Sequence, residues 1–329
     1  MKAELLARLL AVAGIVVPLA GVGVVLAPRL SSGGEAIEIH ARVAEEGGWQ
    51  PSELVVAAGA PIRLRLTSDD VVHGFAVGQS DIQAVEILPG QYTELTVTFD
   101  RPGRYAYYCT RWCGAGHWRM RGTIEVVGGE LPSTAPQEPL YVALGLDIDA
   151  PHLAPETPGR RPSSVAGAAL GVEPPAEMTG RGYYESHTPV QAIESLRAEA
   201  SLSWMDDQEM WDLVALLWRR NTTAETLETG RELFAQNCAA CHGEAGGGDG
   251  VMAGSLLTLA DGPSATEAPQ PADFTSLRSM LGASPALLQG KILRGGMGTG
   301  MPYFGPILTE AQIWSLVDYL WTFTMEYEE

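Results

Sequence analysis

The four cysteines of this 329-residue chain fall in two close pairs, Cys109 with Cys113 and Cys238 with Cys241. Pairs this close read as metal or cofactor attachment before they read as disulfides. A chain of this length is expected to hold two ordinary domains plus connections, so each pair is expected in its own domain. The 40 acidic residues against 21 basic ones give a formal charge of -19. That balance excludes a nucleic-acid binder, which needs a Lys/Arg surplus. It fits a basic protein partner, and equally the plain needs of solubility.

From Leu9 to Ala27 the chain is uncharged. A helix of that length spans ~28 Å against a hydrocarbon core of ~30 Å, so residues 1–30 are expected to form a single membrane-anchor helix. The apolar region of a cleaved signal peptide is shorter and ends in an A-x-A-like site, which is not evident here. Lys2 and Arg8 precede the segment and Arg29 follows it. That bias leaves the rest of the chain on the extracytoplasmic, periplasmic side of the cell membrane.

Between residues 36 and 127, runs such as Ile62-Arg63-Leu64-Arg65-Leu66 and Thr93-Glu94-Leu95-Thr96-Val97 alternate with period two. Turn signals at Ala58-Gly59, Pro89-Gly90 and Pro102-Gly103 separate them, which predicts a small all-β sandwich. It closes on Cys-Thr-Arg-Trp-Cys-Gly-Ala-Gly-His-Trp-Arg-Met, with Cys109, Cys113, His117 and Met120, and His73 stands upstream in V-V-H-G-F. Two thiolates, two imidazoles and a thioether make a soft ligand set suited to copper. A mononuclear blue-copper site needs one cysteine, and a second lets two thiolates bridge two ions. The rival reading is a Cys109–Cys113 disulfide with incidental His and Met.

This stretch resembles the CuA domain of cytochrome c oxidase subunit II, through C-x-x-x-C-x-x-x-H-x-x-M and the upstream histidine. The likeness is to the single-anchor, B-type branch, through V-V-H-G-F, I-L-P-G-Q, R-P-G-R-Y and M-R-G-T-I-E-V. The resemblance implies a cupredoxin-like Greek-key sandwich. It also implies a binuclear CuA centre in which Cys109 and Cys113 bridge, His73 and Met120 complete one copper, and His117 with the backbone carbonyl of Arg111 completes the other. Many members of that family carry Glu, a Mg²⁺ ligand, where Arg111 stands. Trp49 reads as a core aromatic or as an electron-entry contact.

Residues 128–182 hold nine prolines and read as an extended, Pro-rich linker, with one short strand at Tyr141–Leu144. Residues 183–222 end in the amphipathic stretch Asp206–Trp218, which the C-terminal stretch Thr309–Trp321 repeats. Trp211, Leu213, Val214, Leu217 and Trp218 match Trp314, Leu316, Val317, Leu320 and Trp321. Either 183–222 is a haemless cytochrome-like relic, or two amphipathic helices coincide by chance.

Residues 223–326 carry Cys238-Ala-Ala-Cys241-His242, the c-type haem attachment motif. Two thiols on one helical turn add to the haem vinyl groups, and the adjacent imidazole meets the iron. The domain resembles the class I cytochromes c, an all-α fold in which a methionine before proline gives the sixth ligand. Met301-Pro302 fits that place, with Met297 the competitor. Thr309 and Gln312 stand at capping-box spacing for the final helix.

The expected whole is multidomain: a transmembrane helix, a copper sandwich and a helical cytochrome holding one covalent haem c. Both centres carry electrons and neither binds substrate, so the chain is expected to be a non-catalytic subunit. The resemblances imply subunit II of a haem-copper oxidase, taking electrons from an external cytochrome c or small copper protein and passing them to an integral-membrane subunit I. The equivalent subunit of a haem-copper nitric oxide reductase is the alternative. A copper-delivery or thiol-redox protein is a third reading, which leaves the haem motif unexplained.

Overall fold

The computed structural model describes residues 36–80, 82–114, 116–129, 138–254, 270–296 and 300–327. The expected anchor Leu9–Ala27 and the competing ligand Met297 lie outside these. No helix among the described residues is long and apolar enough to cross a membrane.

The period-two runs form nine strands in two sheets. One has the order β2 (Trp49–Gln50), β1 (Ile37–Ala41), β4 (Ile62–Ser68), β7 (Thr93–Val97). The other has the order β3 (Glu53–Ala57), β9 (Arg121–Val127), β8 (Gly103–Tyr108), β5 (His73–Val77), β6 (Val85–Ile87). In β4 the side chains of Ile62, Leu64 and Leu66 point inward while those of Arg63 and Arg65 stay outside, so alternation alone fixes which face is core. Ile39, Leu64, Leu66, Phe75, Ile87 and Ile124 meet between the sheets. Each contributes about 1.5–3 kcal/mol on burial. Trp49 belongs to this core, edge-on to Phe75 and Tyr107, so it is no exposed entry contact.

The helical part is built around crossings that only glycine permits. The helix Ala224–Asn237 meets Glu310–Leu320 at Gly230, where an added Cβ would lie 2.1 Å from the Ser315 carbonyl oxygen. The helix Ser164–Ala169 meets Asp207–Arg220 at Gly167, where a Cβ would lie 2.2 Å from the Asp212 carbonyl oxygen. Asp212 follows Trp211 as Ser315 follows Trp314, so the two crossings occupy matching places. The likeness continues. Helices Pro189–Ala198 and Pro285–Arg294 both start on proline and are capped by the hydroxyls of Thr188 and Ser284. The last helix of each set begins with a reciprocal capping box, from Asp206 with Glu209 and from Thr309 with Gln312. Both sets share one hydrophobic core.

The described part of the Pro-rich stretch is not a free extended tether. Tyr141 lies in a helical turn, Leu140–Ala143, where a strand was expected. Arg294 pairs with Asp149 at 2.5 Å, the Ala154 amide donates to Arg278 O at 2.8 Å, and Arg161 donates to Thr322 O at 2.8 Å. Proline rules out long regular elements but not packing: Ile148, Ala154 and Met178 are buried against the helices.

Candidate metal and haem centres

The end of the sandwich is where three neighbouring strands deliver ligand-type side chains. His73 opens β5, Cys109 follows the last residue of β8, and Met120 precedes β9. The pairings Ala76 with Tyr108 and Tyr108 with Arg121 lock these strand ends side by side. The Cys109 amide donates to Met120 O at 3.2 Å, so the intervening loop is closed at its base. The short helical turn His117–Arg119 then turns His117 back over the cysteines.

Cys109 Sγ and Cys113 Sγ lie 3.9 Å apart. That is far beyond the ~2.05 Å of a disulfide, which removes the rival reading of the pair. It is close to the spacing of two thiolates on one tetrahedral ion with metal–sulfur bonds of ~2.3 Å. His73 Nδ1 is 3.7 Å and Arg111 O 3.1 Å from Cys109 Sγ, while His117 Nδ1 is 3.5 Å and Met120 Sδ 3.2 Å from Cys113 Sγ. The donor set is therefore assembled and fits copper chemistry. Among the described residues, His73, Cys109 and Cys113 form the His/Cys/Asp/Glu group within reach of a common ion. Contact with Cys113, then with His117 and His73, holds the Cys109 thiol far below its usual pKa. The Arg111 side chain points outward and pairs with Glu86.

One residue that sequence reasoning missed supports this cluster. Asp70 Oδ1 lies 2.7 Å from His73 Nε2, and its carboxylate accepts from the Val43 and Val71 amides. It fixes the ring so that Nδ1 faces the sulfurs. The signal available was its place three residues before His73 in D-D-V-V-H.

The second centre is a cleft of about 290 Å³ lined by Cys238, Cys241, His242, Met301 and Pro302. His242 and the two cysteines share the short turn Ala239–His242 with its N-cap Cys238. His242 Nδ1 lies 3.0 Å from Ala272 O, which leaves Nε2 free toward the cleft. The ring stacks on Phe274 with centroids 4.7 Å apart, and burial keeps the imidazole neutral by lowering its pKa. Burial pushes the Cys238 thiol up to about 12, the state expected of a thiol awaiting thioether formation rather than of a metal thiolate. These residues fit a covalent haem. His152 and His187 stand apart from both centres, as the sequence suggested: His187 stacks on Tyr183.

Comparison with known proteins separates the chain at the same place. Residues 50–127 match the family described as cytochrome c oxidase subunit II, periplasmic domain, and residues 227–324 match the family described as cytochrome c. The chain joins a subunit II domain to a cytochrome c domain. Over 79 residues it is 47% identical to cytochrome c oxidase subunit 2 of Thermus thermophilus, a match covering 24% of this chain and 58% of that protein. A subunit 2 from a second strain of Thermus thermophilus is also 47% identical, with 46% of its length covered. The chain thus spans about half the length of these relatives. Among solved structures, the periplasmic domain of oxidase subunit II (CoxB) of Bradyrhizobium japonicum aligns at 31% identity, covering 23% of this chain and 54% of that one, with a TM-score of 0.22. A heme-copper terminal oxidase dimer aligns at 24% identity over 37% of this chain and 93% of that one, TM-score 0.24.

Proposed function

We propose that this chain is the electron-transfer subunit II of a membrane haem-copper oxidase, carrying a binuclear copper centre and one haem c. The observation that carries the reading is the convergence of Cys109, Cys113, His73, His117, Met120 and Arg111 O on one end of the sandwich, beside a cleft holding Cys238, Cys241, His242 and Met301. When bound, the two groups each accept and release one electron. The protein supplies everything else. Cys109 and Cys113 would bridge, the two histidines and Met120 would close the ends, and Asp70 would orient His73. His242 and Met301 would hold the iron from opposite sides, leaving no position for substrate.

Leu9–Ala27 would anchor the chain with both domains on the extracytoplasmic face. An integral catalytic subunit would receive the electron, and an external donor, drawn by the acidic surface, would supply it. The segment 163–222 would be a cytochrome-like unit without haem. Its crossing at Gly167, its capped helix Pro189–Ala198 and its capping box at Asp206 all have counterparts in the haem domain. Counting from the two crossing glycines, Pro175, Met178 and Thr179 stand where Cys238, Cys241 and His242 do, so no attachment is possible there.

Metal and haem analysis of the purified full chain tests this reading. Two copper ions sharing one unpaired electron, with one covalent haem, are expected. Uptake of a single copper at saturation contradicts it.

A further inference from the structure

We infer that the haem and copper domains are a fixed pair, so that the electron crosses a standing contact and no docking step precedes it. The inference rests on the functional reading above and specifies its route. Asn237, Pro302 and Phe304 line the haem cleft. The same three residues line a second cavity of about 30 Å³ together with Cys109, His117 and Met120. One set of side chains is therefore the wall of both sites. Asn237 immediately precedes Cys238, and Pro302 immediately follows Met301, so each is one residue from a proposed haem ligand. On the copper side the wall includes proposed ligands themselves. A third cavity joins His117 and Trp112 to Ala235, Gln236, Asn237 and Ala240 of the haem-bearing turn and the helix before it.

The contact is latched at places where neither centre is touched. The Gln79 amide donates to Ile307 O at 3.1 Å, and Gln79 Nε2 donates to Gly305 O at 2.5 Å. Arg121 Nη1 donates to Tyr303 O at 3.2 Å. Gly78 is packed so closely that an added Cβ would come within 2.5 Å of Pro306 O and 2.7 Å of the Ile307 Cα. These partners all belong to segment 303–307, directly after Met301-Pro302. A latch on that segment fixes the sixth haem ligand relative to the copper loop.

The step balances simply. The ferrous haem loses one electron and becomes ferric, and the mixed-valence copper pair gains it and becomes fully cuprous, with no proton or bond transferred.

The experiment uses the full chain in detergent, its haem and copper contents measured first. The haem is reduced by a flash with a ruthenium polypyridine photoreductant and a sacrificial amine, and the haem-to-copper transfer is followed optically. A fixed pair gives a rate independent of glycerol viscosity and of salt. The Gly78→Val substitution wedges the latch and should slow transfer about tenfold or more, the scale on which small misplacements are felt, with both absorption spectra unchanged. Hydrogen exchange on the metal-free chain is a second readout: the Gln79 amide should be protected in the wild type and lose protection in the variant. A wild-type rate that falls with viscosity, an unchanged rate in the wedge variant, or rapid exchange at Gln79 in the wild type overturns the fixed pair. A chain that binds no copper or no haem overturns the functional reading instead.

Discussion

Trp218 and Trp321 meet edge to face, ring centroids 6.0 Å apart and both fully buried, one from each of the two matching helix sets. The haemless and haem-bearing units therefore share a core rather than merely adjoining. Trp218→Ala should cost about 3–5 kcal/mol, the usual penalty for emptying a tryptophan site. Chemical denaturation followed by haem absorbance and by far-UV circular dichroism should show one common transition, shifted to lower denaturant. A haem transition that stays in place would show that the two units unfold separately.

The axial ligand is the next point at which the account is exposed. Met301→Ala should abolish the far-red sulfur-to-iron absorption band while the haem remains covalently attached through Cys238 and Cys241. Met297→Ala should keep the band. The reverse pattern would reassign the ligand.

On the copper side, Cys109→Ser and Cys113→Ser should each collapse the shared-spin signal and leave at most one copper. Asp70→Asn should keep the two-copper spectrum but weaken copper affinity about 10–100-fold, as loss of a ligand-orienting carboxylate usually does. Competition with a copper chelator measures this. An unchanged affinity would remove Asp70 from the site.

His152 gives a pH dependence of known sign. Burial first, and then Lys291, lower its pKa in the folded chain, so below about pH 6.5 the unfolded chain takes up a proton that the folded chain resists. Its contribution to stability is present above that pH and is lost as pH falls toward the folded value. His152→Gln should flatten this part of the profile, measured as the denaturation midpoint between pH 7 and 5. A steeper profile in the variant would show the sign to be wrong.

The sites were legible because their chemistry forces local spacing. Cys109, Cys113, His117 and Met120 lie on one loop, and Cys238, Cys241 and His242 on one turn, so sequence distance stands in for spatial distance. The strands were legible for a similar reason: alternation such as Ile62-Arg63-Leu64 reports its own buried face. Asp70 was less visible, because carboxylates are common on surfaces and only its approach to His73 Nε2 distinguishes it. The contact of Gly78 with Ile307 joins residues far apart in the chain, and no periodicity encodes it. The packed character of 138–162 was hidden for another reason: prolines mark where helices cannot run, while Ile148 and Ala154 show burial only once the helices beneath them are in place.

The order of electron flow is the central claim, and rapid reduction of the intact oxidase complex by an external donor tests it most directly. Stopped-flow spectra at low salt should show the haem c of this chain reduced before its copper centre. The rate should fall as salt rises, because the acidic chain attracts a basic donor. A variant lacking the copper centre, such as His117→Ala, should still reduce its haem and should not turn over. Reduction of copper before haem, with turnover surviving truncation after Gly128, would contradict the account.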